Sequence, residues 1–206
     1  MNTIARVLCS FAIAVICAGT AMAPAAAKDI GVASAVVNHV TGLYGGRSRA
    51  LAAGNSIFSN EHIRTGDASS AQILLRDKTS LSIGPRADLT LDRFVYNPDR
   101  STGRVVLSAT QGAFRFITGA QNPTHYTIKT PVANLGLRGT ILDVLISRNP
   151  TTGETTTIVI LISGSVTGTV GNKQYVLNIP GTAYVFSSDG STGGSRLMFF
   201  DASSSR

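Results

Sequence analysis

The chain has 206 residues, of which 43% are hydrophobic and 14% are charged, and its formal net charge is +7. This length and composition allow one domain with an ordinary hydrophobic core and exclude a disordered chain. The 21 glycines, 7 prolines and many Thr, Val, Ile and Ser residues are typical of short strands joined by tight turns, so we expect an all-β protein.

Residues 1–27 have the three parts of a secretory signal peptide. A positive charge at Arg6 is followed by an uncharged apolar run and then by small residues. We predict cleavage after Ala27, which leaves a mature domain of residues 28–206 in the periplasm or outside the cell. An uncleaved anchor is the alternative, because the uncharged run from Val7 to Ala27 is long enough to span a bilayer.

Both cysteines, Cys9 and Cys17, lie in the predicted signal peptide, so the mature chain would have no disulfide and no thiolate site. Without Arg6 it carries 17 basic and 11 acidic residues, a net charge of +6. The arginines are scattered and a secreted chain rarely meets nucleic acid, so we expect no nucleic-acid partner. Anionic lipids or glycans of the envelope would suit this charge, and simple solubility is the alternative.

Beyond the predicted signal peptide, apolar residues alternate with polar ones, as half-buried strands require. Clear examples are Ala71–Arg76, Leu89–Asp92 and Tyr126–Lys129. The run Thr155–Ile162 is continuously β-branched or apolar, which predicts a central strand covered on both faces. The last predicted strand is Arg196–Phe200. No segment shows helical periodicity.

These strands predict one all-β domain from about Val32 to Phe200. Its architecture is expected to be a jelly-roll-like sandwich or an open β-roll with solenoid-like stacking, and the patterning does not choose between them. The predicted core consists of the inward-facing apolar positions Ile73, Leu75, Leu81, Ile83, Leu89, Leu91, Phe114, Phe116, Ile128, Leu142, Val144, Ile158 and Ile160.

No catalytic or ligand-binding motif is assembled in the sequence. Gly136–Thr140 lacks the lysine and the glycine spacing of a phosphate-binding loop. The histidines His39, His62 and His125 lie far apart, without the ligand spacing of a zinc site. Ser48 resembles a nucleophile elbow only loosely, because the second glycine of that motif is missing.

The carboxylates are numerous at predicted turns and strand ends, where Asp is an ordinary turn former. They are Asp67, Asp77, Asp88, Asp92, Asp99 and Asp143. No two of these carboxylates can be assigned as a catalytic acid and base. We therefore predict a non-catalytic protein with no metal site and no cofactor.

Several motifs occur in consistent order between about Gly54 and Val144. They are Ile63–Gly66, Ala71–Leu75, Asp77–Leu81, Gln111–Phe114 and, most specifically, Thr130-Pro131 followed by Leu137–Thr140. With these motifs the chain resembles the FecR-type periplasmic domain. The resemblance implies an extracytoplasmic all-β domain, best known from membrane regulators that relay ligand occupancy of an outer-membrane transporter to a cytoplasmic sigma factor.

The chain departs from those regulators in two respects. We find no counterpart of the cytoplasmic sigma-factor-binding segment and no second transmembrane helix, so we do not expect the relay role. Lys78 stands where the family usually has a glycine after the turn aspartate, and a lysine is less suited than glycine to a tight turn.

Two classes of function remain. The first is an interaction or sensing module that presents a strand edge or sheet face to another envelope protein. The second is a binder of anionic envelope polymer, either glycan or lipid head groups. Its possible anion-binding surface consists of Arg47, Arg49, Arg76, Arg86, Arg93 and Arg115.

The segment from Thr130 to Thr140 is predicted to be structural. Pro131 fixes its own φ, so the chain should turn directly after a strand. Gly136 and Gly139 allow positive φ, and we expect Arg138 between them to be buried, where it would satisfy carbonyls that Asn134–Gly139 leaves unpaired. The alternative is that Arg138 faces solvent and binds an anion. The predicted structural motif residues are Thr130, Pro131, Gly136, Arg138, Gly139 and Thr140.

Overall fold

A computed structural model describes residues 29–96, 103–120 and 125–196 of the chain. The predicted signal peptide, its cleavage site and most of the last predicted strand lie outside the described residues. The described strands are β1 (Asp29–Val37), β2 (Val40–Tyr44), β3 (Arg47–Ala50), β4 (Ser56–Phe58), β5 (His62–Thr65), β6 (Ser70–Leu75), β7 (Ser80–Ile83), β8 (Asp88–Val95), β9 (Arg104–Ile117), β10 (Tyr126–Lys129), β11 (Asn134–Arg148), β12 (Thr155–Val170), β13 (Lys173–Leu177), β14 (Thr182–Ser187) and β15 (Thr192–Arg196).

All of these strands belong to one continuous mixed sheet, which confirms the all-β prediction. The sheet has two layers that share the three long strands β9, β11 and β12. The first layer has the order β4, β1, β6, β7, β9, β11, β12, β14, β15, and the second has the order β3, β2, β5, β8, β9, β10, β11, β12, β13. Most neighbours are antiparallel, whereas β9 and β10 are parallel.

The two layers enclose one core. Buried apolar side chains from both layers form a single cluster. Phe116 of the first layer contacts Tyr126 of the second with ring centroids 6.2 Å apart, and Phe186 contacts Tyr175 at 5.8 Å. The shared strands distinguish this arrangement from a sandwich of two separate sheets.

Each shared strand passes from one layer to the other near a glycine with positive φ. These glycines are Gly112 in β9, Gly139 in β11 and Gly164 in β12, with φ values of 107°, 57° and 84°. Such backbone conformations are open to glycine at no steric cost. Register shifts lie close to all three glycines, as expected of β-bulges that bend a strand.

The bends reverse which side chains face the core. In β11, Leu135 and Leu137 are buried before the bend, whereas Leu142 and Val144 are buried after it. In β11 the buried positions are therefore odd-numbered in the second layer and even-numbered in the first. One extra residue at a bulge shifts the alternation by one, which keeps the apolar positions on the inner side.

The predicted core is confirmed except in β12. Ile158 and Ile160 are only half-buried on the outer face, and the buried residues of this part of the strand are Thr157, Val159 and Leu161. The prediction that β12 is covered on both faces is wrong. A continuous apolar run has no alternation that could assign its faces, so the assignment depends on the neighbouring strands.

The turn between β6 and β7 places Lys78 in the left-handed region, with φ of 70°. This conformation costs an L-residue about 1 kcal/mol relative to glycine. We expect Lys78→Gly to raise the free energy of unfolding by up to about 1 kcal/mol in denaturant titrations. Lys173→Gly in β13, where φ is not positive, should not stabilise the protein. A loss of stability in Lys78→Gly would contradict this account.

Candidate functional site

Thr130 and Ala133 close the turn between β10 and β11. Thr130 donates its backbone N–H to the carbonyl oxygen of Ala133 at 2.9 Å, and its hydroxyl accepts the N–H of Ala133 at 3.0 Å. The hydroxyl of Thr157 in β12 donates to Thr130 Oγ1 at 3.1 Å. The chain turns at Pro131 directly after β10, as the proline predicts.

The prediction that Arg138 is buried is wrong. Arg138 is exposed on β11, and its guanidinium has no hydrogen-bond or ion-pair partner among the described residues. The stretch Asn134–Leu137 pairs regularly with β10 on one side and with β12 on the other, and the pairing with β12 continues to Arg138. Its carbonyls therefore need no side-chain donor, and Arg138 occupies an outward position of the alternation.

Thr140 has the structural role that was predicted for Arg138. Thr140 is 1% exposed; its hydroxyl accepts the N–H of Arg138 and donates to the carbonyl of Ser165, both at 2.9 Å. Its backbone N–H donates to Thr118 Oγ1 at 2.9 Å, and the N–H of Thr118 donates to its carbonyl at 3.0 Å. These bonds satisfy the backbone groups that the bulge at Gly139 removes from the ladder.

We expect Thr140→Val to lower the free energy of unfolding by about 1–3 kcal/mol, because it leaves the N–H of Arg138 and the carbonyl of Ser165 without their partner. Arg138→Ala should change it by less than about 0.5 kcal/mol, as is usual for exposed positions. Thermal and denaturant unfolding would measure both. A larger loss in Arg138→Ala than in Thr140→Val would reverse the assignment.

A cavity of about 300 Å³ lies beside Arg138 on the outer face of the second layer. The Arg138 cavity is lined by Gly136, Leu137, Arg138, Ser165 and Thr167. A side chain at Gly136 would meet little besides the carbonyl oxygen of Thr167 at 3.8 Å, so the glycine leaves open space there. The hydroxyls of Ser165 and Thr167 have no hydrogen-bond partner among the described residues.

The six arginines of the possible anion-binding surface are not brought together. Arg47 and Arg49 lie on β3, Arg76 follows β6, Arg86 lies between β7 and β8, and Arg93 and Arg115 lie on β8 and β9. Arg47 and Arg93 are exposed and have no partner within the described part of the chain.

The other four of these arginines are paired with carboxylates. Arg49 Nη2 lies 2.8 Å from Oε1 of the fully buried Glu61, and its guanidinium stacks over Phe58 at 5.3 Å. Arg115 forms two hydrogen bonds with Asp143, at 2.7 and 2.8 Å, and these bonds raise the pKa of Arg115.

Arg76 and Arg86 complete the paired set. Arg76 Nε donates to Asp29 at 2.6 Å, and Arg86 lies 3.7 Å from Asp67. Because four of the six arginines are matched by carboxylates, these arginines do not form a surface of uncompensated positive charge.

Asp77 is more than an ordinary turn former, which sequence reasoning missed. Its buried carboxylate accepts the N–H of Thr79 at 2.9 Å, the hydroxyl of Thr79 at 2.8 Å and the phenol of Tyr126 at 2.8 Å. Gly119 lies against the same turn: an added Cβ at this position would be only 2.5 Å from the backbone nitrogen of Thr79, so there is no room for a side chain. The spacing Asp-x-Thr after a strand is the signal that could have indicated this network.

His62, Arg64 and Asp88 form a cluster across β5 and β8. His62 Nε2 lies 2.5 Å from Asp88 Oδ1, and Arg64 Nε donates to Asp88 Oδ2 at 2.8 Å. Burial by itself raises the pKa of Asp88, but the bonds from His62 and Arg64 outweigh it and hold that pKa below its usual value.

Among the described residues, no three His, Cys, Asp or Glu side chains are placed to hold a metal ion. None of the described segments is a helix of the length and hydropathy needed to cross a membrane.

Two crystal structures of a proposed anti-sigma factor from Parabacteroides distasonis are similar to this chain. They are 13% identical in sequence, with TM-scores of 0.52 and 0.51. The likeness covers 66% of this chain and 59% of each of theirs, so this chain spans less than two thirds of their length. At this identity it shows a shared fold. Comparison with curated proteins finds no match.

The family model described as FecR protein matches residues 61–167. This range begins and ends later than the 54–144 expected from the sequence motifs. It runs from the buried Glu61 through all three bends, and it includes the turn at Pro131, Thr140 and the Arg138 cavity. Because the match covers more than half of the chain, this protein belongs to the FecR family.

Proposed function

We propose that this protein is a non-catalytic interaction or sensing module that acts outside the cytoplasm by binding another protein of the cell envelope. The observation that carries the proposal is the FecR match over residues 61–167. FecR-type proteins are regulatory rather than catalytic, and the shared fold with a proposed anti-sigma factor supports a role in signalling. The predicted signal peptide supports an extracytoplasmic location.

The surface of the sheet favours a protein partner. On the outer face of the first layer, Leu145 and Val185 are each more than a third exposed and lie on either side of the half-buried Ile158, with Ile160 two residues further along the same face of β12. Contiguous apolar side chains on a soluble protein are typical of a surface that contacts another macromolecule. The scattered and mostly paired arginines do not favour the polymer-binding alternative.

Capture from envelope extract, compared with sedimentation on purified cell wall, tests this function. The full chain is expressed with its own N-terminus, the extracytoplasmic fraction is collected, and the protein is used as bait. We expect it to retain one or a few envelope proteins in stoichiometric amounts and to stay in the supernatant when cell wall is sedimented. Sedimentation with the cell wall, without any captured protein, would instead support a polymer binder.

A further inference from the structure

One end of the second layer contains no acidic residue. This acid-free end consists of β10, the first part of β11, the second part of β12 and β13, and neither residues 126–138 nor residues 164–180 include Asp or Glu. Three cations, Lys129, Arg138 and Lys173, lie on it. Of these, only Lys129 has a carboxylate partner among the described residues, since it lies 3.4 Å from Asp92 on β8.

The Arg138 cavity gathers unused hydrogen-bond donors at this end. Arg138, Ser165 and Thr167 line the same cavity of about 300 Å³, and neither the guanidinium nor the two hydroxyls have a partner among the described residues. Arg138 presents five N–H donors in a planar fork, which matches a carboxylate in two parallel bonds. The two hydroxyls can donate to the remaining lone pairs of the same group.

We propose that the Arg138 cavity binds a carboxylate side chain from an acidic segment of a partner protein. Arg138 would make a bidentate ion pair, Ser165 and Thr167 would donate hydrogen bonds, and Gly136 leaves the space that the entering side chain needs. This proposal rests on the proposed function, because it names the chemistry by which that module recognises its partner.

The surroundings of the cavity favour a polypeptide over a glycan. Thr167 pairs across the ladder with Val176 of β13, which is 61% exposed, and Ile179 shortly after it is 58% exposed. Exposed apolar side chains next to a cationic cavity suit an extended segment in which an acidic and an apolar residue are two positions apart, because a strand presents every second side chain to the same surface. An acidic glycan would offer no comparable apolar groups to Val176 and Ile179.

Calorimetric titration of the full chain with capped hexapeptides tests the proposal. The probes are an acidic peptide, Ser-Glu-Ser-Val-Ser-Glu, its uncharged counterpart Ser-Gln-Ser-Val-Ser-Gln, and an acidic glycan, polygalacturonate. We expect the acidic peptide to bind more tightly than either other probe. Arg138→Gln should weaken binding of the acidic peptide at least tenfold, whereas Arg93→Gln should change it less than twofold, because it removes the same charge from an exposed arginine on β8 that has no partner among the described residues.

Two further variants test the cavity without changing the net charge. Gly136→Val should fill the cavity and weaken binding of the acidic peptide about as much as Arg138→Gln does. Thr167→Val keeps the shape of the side chain but removes its hydroxyl, so it should weaken binding severalfold. This variant tests the cavity even if Gly136→Val folds poorly. Melting curves of every variant separate lost binding from lost folding.

Several results would overturn the proposal. They are equal weakening by Arg138→Gln and Arg93→Gln, equal binding of the two peptides, no binding of the acidic peptide, and tighter binding of polygalacturonate through Arg138. In the envelope capture experiment, an Arg138→Gln protein that retains the same proteins as the parent would refute the cavity and leave the proposed function standing. A parent protein that captures nothing would refute the proposed function itself.

Discussion

Asp77→Ala is expected to lower the free energy of unfolding by about 3 kcal/mol or more, because the N–H and hydroxyl of Thr79 and the phenol of Tyr126 lose a buried charged acceptor. Asp77 is 1% exposed, Thr79 is fully buried, and Tyr126 belongs to the opposite layer. The carboxylate therefore joins the turn between β6 and β7 to β10 through the core. Denaturant unfolding of the full chain measures the loss.

Asp67→Ala is the matched control for Asp77→Ala. The side chain of Asp67 is 85% exposed, and its ion pair with Arg86 is 3.7 Å long. Exposed ion pairs of this kind contribute little, so the change should be below about 0.5 kcal/mol. Equal losses in the two variants would show that the Asp77 network does not stabilise the fold. Tyr126→Phe, combined with Asp77→Ala in a double-mutant cycle, would isolate the bond between the layers.

Gly164→Ala is expected to cost more than about 3 kcal/mol or to prevent folding, because it combines backbone strain with a steric overlap. The φ of Gly164 is 84°, and an added Cβ would overlap the carbonyl oxygen of Gly139 and lie 2.8 Å from that of Arg138. Both neighbours are backbone atoms of β11, and they cannot move without opening the two bends where β11 and β12 cross between layers.

Two other glycines separate the causes of that loss. Gly139 has φ of 57° but free space around a Cβ, so Gly139→Ala should cost only about 1 kcal/mol. Gly193 in β15 has free space and no positive φ, so Gly193→Ala should change stability by less than about 0.5 kcal/mol. If Gly164→Ala is as stable as Gly139→Ala, the close approach of the bends is not required.

The alternation of polar and apolar residues was sufficient to predict most of the strands and most of the core. In β6, β7, β9 and β10, polar and apolar residues alternate strictly enough that the pattern alone assigns Ile73, Leu81, Phe116 and Ile128 to the core, where all four are buried. Burial on one face of a strand requires this period of two, so the pattern is readable directly. The FecR motifs indicated the family, which the match over residues 61–167 confirms.

The Arg138 cavity could not be predicted from the sequence. The exposure of Arg138 depends on which face of β11 points outward, and that face changes at the bulge after Gly139. Ser165 and Thr167 are more than 25 residues away in the chain, and only the antiparallel register of β11 with β12 places them beside Arg138. Local sequence has no information on such a register, because it is set by pairing between distant segments.

Local sequence was enough to predict the strand content, most of the core positions, the turn at Pro131 and the positive φ of Gly139. These properties depend on single residues and on their immediate neighbours. Three features could be seen only in the folded protein. The strands β9, β11 and β12 are shared by two layers, and β12 buries Thr157 instead of Ile158. Thr140, and not Arg138, forms the hydrogen bonds to the backbone groups at the bend. Each of these outcomes depends on which distant strand lies alongside. A change of register by one residue in β12, for example, would exchange its inner and outer side chains.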